Sequence, residues 1–360
     1  MLSAARVSLA AIVVMALGSA TPAIAQTQLV FSTYVPETFS VTTCDAFFMD
    51  EVNKRTGGKI TFQRYYGGAL LNAVDTVPGI ARGAADFGMG FPGGYNRAQY
   101  PISNIMLPYI TESSIAATLA LNDLYREFPE FRAEYEKQGL TMLYGIVPTA
   151  HTFWSREPIR SAADFKGKRI RSLLGIGDAV AKLGGTPVGM AFSDGVEALT
   201  RGAIDGMGNT PFDLGVTAGI YKVAKYATDA GRLGTFSASA SVMNLRKWKS
   251  LPPDVQQTMQ AVALEIPKCF DAAVQKDVLH AVDVLAPDTT VKMTTFSPEE
   301  AKKLRETVGA QLWQEWVALV TKQGLPGQKL LDRFLELIAK HEKEHPTKTG
   351  YELMKERVGK

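Results

Sequence analysis

Short apolar runs alternate with helical patterns along almost the whole chain. QLVFSTYV, residues 28–35, predicts a strand. SVTTCDAFFMDEVNKRTGG, starting at Ser40, predicts a helix closed by a glycine pair, a common way to end a helix. KITFQRYY, 59–66, alternates apolar and polar positions, as a strand with one covered face does. This β-α-β-α order argues for an α/β protein with mostly parallel sheets. The C-terminal part reads as helical. Ser297-Pro298-Glu299-Glu300 is a capping box with proline at the first helical position, and its helix is expected to pass Trp313 and Trp316 and stop at Gly324. After LPG, QKLLDRFLELIAKHEKEH predicts a further helix with the apolar stripe Leu330, Leu331, Phe334, Leu335 and Ile338.

One pattern occurs twice. DTVPGIARGAADFGMG starts at Asp75 and DGVEALTRGAIDGMG at Asp194. Val77 matches Val196, Arg82-Gly83-Ala84 matches Arg201-Gly202-Ala203, and Asp86 matches Asp205. Each copy reads as a helix, a glycine-containing turn and a short buried strand, which predicts two similar α/β lobes. In open α/β sheets ligands sit beyond the carboxyl ends of the strands. The residues after each repeat strand are therefore cleft candidates: Phe91, Pro92, Gly93, Gly94 and Tyr95 in one lobe, and Gly208, Asn209, Thr210, Pro211, Phe212 and Asp213 in the other.

The first 25 residues do not belong to this pattern. Arg6 precedes the apolar run VSLAAIVVMALG, and Ala23-Ile24-Ala25 forms an A-x-A cleavage site. They read as a signal peptide, with Gln26 opening the mature chain and the periplasm as destination. No cysteine stands at the cleavage point for a lipid anchor, and no later stretch approaches the length of a membrane helix. The 360 residues suit two domains, 46% apolar residues suit a real core, and a net charge of +3 gives no nucleic-acid footprint. Cys44 and Cys269 are the two cysteines. An oxidising compartment would let them pair, but two buried thiols on helices are the favoured expectation.

Catalytic patterns are thin. His341-Glu-Lys-Glu-His345 matches the H-E-x-x-H signature of zinc peptidases. Pro346 ends its helix at once, and no third ligand or cleft follows, so the expectation is a solvated helix end. The chain has no G-x-S-x-G elbow and no phosphate-binding loop. His151 follows a strand-like run and borders the expected cleft. The sequence requires no cofactor and no metal.

Five blocks occur in a specific order: TGGKITFQRYYGGAL, GIARGAADFGM, SREPIRSAADFKGKRIRS, GGTPVGMAFSDGVEALTRGAIDG and MNLRKWKSLPPDVQQTM. With them, most of the mature chain resembles the solute-binding subunits of tripartite ATP-independent periplasmic (TRAP) transporters, of the dicarboxylate-receptor (DctP) type. The resemblance implies a two-lobed periplasmic binding protein fold. Each lobe would be a mixed, mostly parallel sheet flanked by helices, joined by crossing strands and a long shared helix. Lobe I is expected to comprise 26–147 and 235–275, lobe II 148–234 and 276–345, with 346–360 as a tail. The resemblance also implies lobe closure on a carboxylate ligand and delivery to a TRAP membrane permease.

The family's hallmark arginine maps onto Arg171. A planar guanidinium matches a carboxylate with two parallel hydrogen bonds and keeps its charge when desolvated. Arg169 shares the face of that strand, but Arg171 lies nearer its carboxyl end. Asn209 matches a second family position, an amide able to donate to a carboxylate or accept from a hydroxyl. The sequence also departs from the family: Ala150 stands where many members carry a second arginine, and the neighbouring His151 replaces that charge only weakly. Tyr34, Phe91, Tyr95, Trp154, Phe192 and Phe212 fall at or near strand ends, and about half of these rings are expected to touch ligand. Asp213 completes the candidate set. One cation and many rings point to a monocarboxylate with an apolar or aromatic body. An exported hydrolase or lyase using His151, Asp205 and Asp213, and a sensory receptor for the same ligand class, stay open as alternatives.

Overall fold

The computed structural model describes residues 26–235 and 238–358, so the expected signal peptide, 1–25, lies outside the described residues. Eleven strands are present among them: β1 (Thr27–Ser32), β2 (Ile60–Tyr65), β3 (Phe87–Gly90), β4 (Leu140–Ile146), β5 (His151–Ser155), β6 (Arg169–Arg171), β7 (Thr186–Val188), β8 (Gly206–Pro211), β9 (Tyr226–Thr228), β10 (Ser239–Asn244) and β11 (Lys292–Thr294). They form two sheets, ordered β2-β1-β3-β10-β4 and β11-β9-β5-β8-β6-β7. The two repeat copies fold alike. Helices Thr76–Arg82 and Phe192–Thr200 each end before a left-handed glycine, Gly83 or Gly202, and lead into β3 and β8.

The sheets are mixed and mostly parallel, as expected, with one strand in each running against the others. In the first, β10 runs antiparallel to both β3 and β4. In the second, β5 runs antiparallel to both β8 and β9. The cause is the route of the chain. β4 passes straight into β5, and β9 into β10, without an intervening helix. Parallel neighbours need a long crossover, whereas a strand arriving directly from the other sheet is free to run the opposite way. These two crossings join the lobes.

A third connection is the 20-residue helix Ile266–Leu285. Its Phe270 and Val274 enter the core formed by the first sheet and helix Ser40–Arg55, while Val278, Ala281, Val282 and Leu285 enter the core behind the second sheet. Cys269 opens the first of these stretches and is disulfide-bonded to Cys44, with 6.0 Å between the two Cα atoms. The expectation of two separate thiols is thus corrected. Helix Ser40–Arg55 packs directly on helix Ile266–Leu285, which brings residues 225 positions apart within bonding reach.

The C-terminal helices dock on both halves. Helix Gly327–Glu344 buries Leu330, Leu331, Phe334, Leu337 and Ile338, with Leu335 only partly covered, and it packs on helix Ser114–Glu127. Helix Gly350–Val358 lies against helix Ile266–Leu285 and places Met354 in the second core. Among the described residues no helix is long and apolar enough to cross a membrane.

Candidate functional site

The carboxyl ends of β3, β6 and β8 face a cavity of about 710 Å³ that also reaches the two crossings and the long helix. That volume is typical of a small-molecule site. Eight of the ten expected residues line it: Tyr34, Phe91, Tyr95, His151, Arg171, Phe192, Asn209 and Asp213.

Arg171 ends β6, in register with Val188 of β7 and Met207 of β8. It is 3% exposed. Its Nε and Nη2 both donate to the Met190 carbonyl, at 3.1 and 2.9 Å. Its Cζ lies 5.8 Å from the centre of the Phe192 ring, close enough for a cation–π contact. Gly195 packs on the stem, since a Cβ there would sit 3.1 Å from Arg171 Cγ. Burial pulls the guanidinium below its ordinary pKa, while Tyr95, Tyr34 and Asp194 act in the opposite sense. Among the described residues no carboxylate lies within ion-pairing distance of it. Arg169 differs: its half-exposed guanidinium pairs with Asp205 at 2.9 Å, away from the cavity.

Asn209 adopts a left-handed backbone conformation, with φ of 40°. Its Oδ1 accepts the Leu173 N–H at 2.6 Å, which ties β8 to the turn after β6. The same side chain lines the cavity beside Arg171 and Leu173. His151 is buried, and desolvation pushes its pKa down to about 3. It is neutral at pH 7 and supplies no cation in place of the arginine missing at Ala150. Asp213 is also buried. It accepts a hydrogen bond from the Thr149 hydroxyl, and burial lifts its pKa to about 6.

Three rings form a wall opposite. Tyr34 and Phe91 each meet Tyr95 edge-on, at 5.9 and 5.8 Å between centres. Burial raises the pKa of Tyr34 and of Tyr95, and Arg171 opposes the rise in both. Trp154 and Phe212 do not line the cavity and correct the expectation. Trp154 is fully buried behind the second sheet, where Gly215 packs so closely that a Cβ would come within 2.2 Å of the indole. Phe212 turns beneath the C-terminal helix, against Gly350 and Tyr351. A register shift in the β5–β8 ladder between Thr152 and Trp154 changes which β5 residues face the cleft, and the helix covering Phe212 had been read as a tail.

Sequence reasoning missed Asn72, Phe270, Val274 and Asp277, which complete the walls. Asn72 lies just beyond the TGGKITFQRYYGGAL block. The other three share one face of the long helix, at the helical spacing of four and three. Of the cavity's lining residues Arg171 is the single lysine or arginine, against Asp194, Asp213 and Asp277. Asp205, named for the enzymatic alternative, does not line the cavity. Nor do His341, Glu344 and His345, the one group among the described residues able to gather three metal-ligand atoms. His341 is not at a solvated helix end as expected: it is buried, with Nε2 2.7 Å from Asp123 Oδ2.

Known proteins share this architecture. The ectoine-binding periplasmic protein TeaA of Halomonas elongata is 25% identical, over 76% of this chain and 80% of its own length. A TRAP periplasmic solute-binding protein of Desulfovibrio salexigens superposes with a TM-score of 0.73 at 26% identity, covering 89% of this chain and 98% of that one. A TRAP solute-binding protein of Rhodoferax ferrireducens, in complex with copurified benzoate, gives a TM-score of 0.77 at 22% identity, covering 89% of this chain and 99% of that one. Residues 31–318 match the family described as bacterial extracellular solute-binding protein, family 7 (DctP). The chain belongs to that family and is a solute-binding receptor of the TRAP type.

Proposed function

We propose that this receptor captures a monocarboxylate with an apolar or aromatic body in the periplasm and delivers it to a TRAP membrane permease. One observation carries the reading: Arg171 is buried, has no acid within ion-pairing distance among the described residues, and is the single lysine or arginine lining the cavity. A desolvated cation without a partner is costly, and a ligand carboxylate would relieve it with two parallel hydrogen bonds. A second carboxylate would meet no cation and three aspartates. Tyr34, Phe91, Tyr95 and Phe192 would cover the ligand's body, and the benzoate copurified with the Rhodoferax ferrireducens protein belongs to the same chemical class.

Capture in this reading is closure. Arg171 takes the carboxylate and Asn209 donates to it. The lobes, joined at the crossings near residues 147 and 235 and by the long helix, then turn to exclude water. Thermal-shift screening of aromatic and branched monocarboxylates against small dicarboxylates and sialic acids tests the ligand class. Stabilisation by monocarboxylates is expected. A best hit among dicarboxylates or sialic acids, with monocarboxylates inert, rules it out.

A further inference from the structure

We propose that the end of helix Gly327–Glu344 is a site for one divalent transition-metal cation of the zinc class, held by His341, Glu344 and His345. This is the H-E-x-x-H segment that the ligand cavity does not use. Positions i, i+3 and i+4 share one helical face, and one ligand atom from each residue lies within 4.8 Å of the others.

The setting of His341 suits a bound cation. Its ring is 5% exposed and is oriented from outside its own helix, by Asp123 on helix Ser114–Glu127, 2.7 Å from Nε2. A carboxylate bound to one ring nitrogen places the N–H there and leaves the lone pair on the other, the arrangement that prepares histidine to bind metal. The other nitrogen, Nδ1, is buried without a hydrogen-bond partner among the described residues. It faces Glu344 Oε2 at 3.3 Å. A lone pair and a carboxylate oxygen at that distance repel each other unless a cation lies between them.

The surroundings favour a positive charge. His345 is the C-cap of the helix, where the last carbonyls form the negative pole of the helix dipole. Asp271, on helix Ile266–Leu285, has a buried Oδ1 without a hydrogen-bond partner among the described residues. Two imidazoles and a carboxylate, with water completing the shell, suit zinc. The ion would fasten the end of this helix to helix Ser114–Glu127 through Asp123. It would have no catalytic part, because none of the three residues lines the substrate cavity.

The test is calorimetric titration of Zn2+ into the untagged, chelator-stripped mature protein, with Co2+ absorption spectra as a second readout. Wild type is expected to take up zinc at this site at micromolar concentrations and to give d–d bands of a low-coordinate nitrogen–oxygen site with cobalt. His345→Asn and Glu344→Gln change exposed residues, so their melting temperatures without metal should stay close to wild type while this binding is lost. Asp123→Asn should weaken it about 10- to 100-fold. Zinc uptake unchanged in His345→Asn and Glu344→Gln overturns the proposal. So does no uptake by wild type, which would mean that a proton, not a metal, sits between His341 and Glu344.

Discussion

Asp86 and Asp205 do the same work in the two halves of the molecule. Each accepts, through Oδ2, the backbone N–H of a residue on the neighbouring parallel strand: Val30 at 2.9 Å for Asp86 and Arg169 at 2.7 Å for Asp205. Each returns its own N–H to that residue's carbonyl, at 2.9 and 2.8 Å. The repeated Arg-Gly-Ala-x-Asp is therefore a clamp at the start of a strand. Replacing either aspartate by alanine is expected to cost about 1–3 kcal/mol of stability, because strand donors lose a charged acceptor. Ligand affinity at Arg171 should be unchanged. Urea unfolding together with calorimetry separates the two effects, and a loss of affinity without a loss of stability would contradict the clamp role.

Arg171 should behave in the opposite way. Arg171→Ala is expected to lose about 2–5 kcal/mol of ligand binding, roughly thirty- to several-thousand-fold in affinity. Stability should hold or rise, since an unpaired buried charge is removed. Lysine should rescue poorly, because its ammonium cannot donate to the Met190 carbonyl through two nitrogens and also present a fork to the ligand. Calorimetry with the best hit of the thermal-shift screen checks both variants. Normal binding by Arg171→Ala removes the anchor assignment.

Asp45 gives a pH dependence with a definite sign. It is buried between Tyr144 and Ser241, whose hydroxyls donate to Oδ1 at 2.6 and 2.9 Å. Burial raises its pKa from 3.8 to about 7. The folded state then holds a proton that the unfolded state has lost between about pH 4 and about pH 7, so stability falls as pH rises through that window, by at most about 1.4 kcal/mol per unit. Glu134, Asp213 and Asp229 act in the same direction. His151, held neutral down to about pH 3, acts in the other: its contribution is lost as pH falls below the ordinary histidine range. Asp45→Asn keeps the acceptor and removes the titration. Denaturation curves for wild type and variant at about pH 4.5 and about pH 7.5 should show the variant gaining on wild type at the higher pH.

The bond between Cys44 and Cys269 closes a long loop in the unfolded chain. Changing both cysteines to serine should lower stability by about 2–5 kcal/mol. Reductant should shift the wild-type melting temperature towards that of the variant and leave the variant unmoved. Equal melting of the two proteins under oxidising conditions would show that the bond contributes nothing.

The sequence carried the two-lobed plan because hydrophobic periodicity and the repeat are local signals, and each repeat helix, glycine and strand folds as its own pattern predicts. The Tyr34–Phe91–Tyr95 wall was legible because its rings lie at or near strand ends, whereas Arg171 and Asn209 were singled out by the family resemblance. What escaped depends on distant chain. The disulfide follows from two helices meeting 225 residues apart. Trp154 and Phe212 were misplaced because a shifted ladder and a terminal helix decide which way they face. The floor residues Phe270, Val274 and Asp277 lie on a helix whose amphipathic pattern says that it is covered, but not by what.

The covalent link at Cys269 stands one residue before Phe270, a part of the cavity floor. That stretch of floor is therefore riveted to helix Ser40–Arg55, which packs in the first core, while the turns from Val278 onward belong to the second core. In the closure proposed above, Phe270 would stay in register with Tyr34 and Phe91, so one jaw would keep its shape while Arg171 travelled on the other.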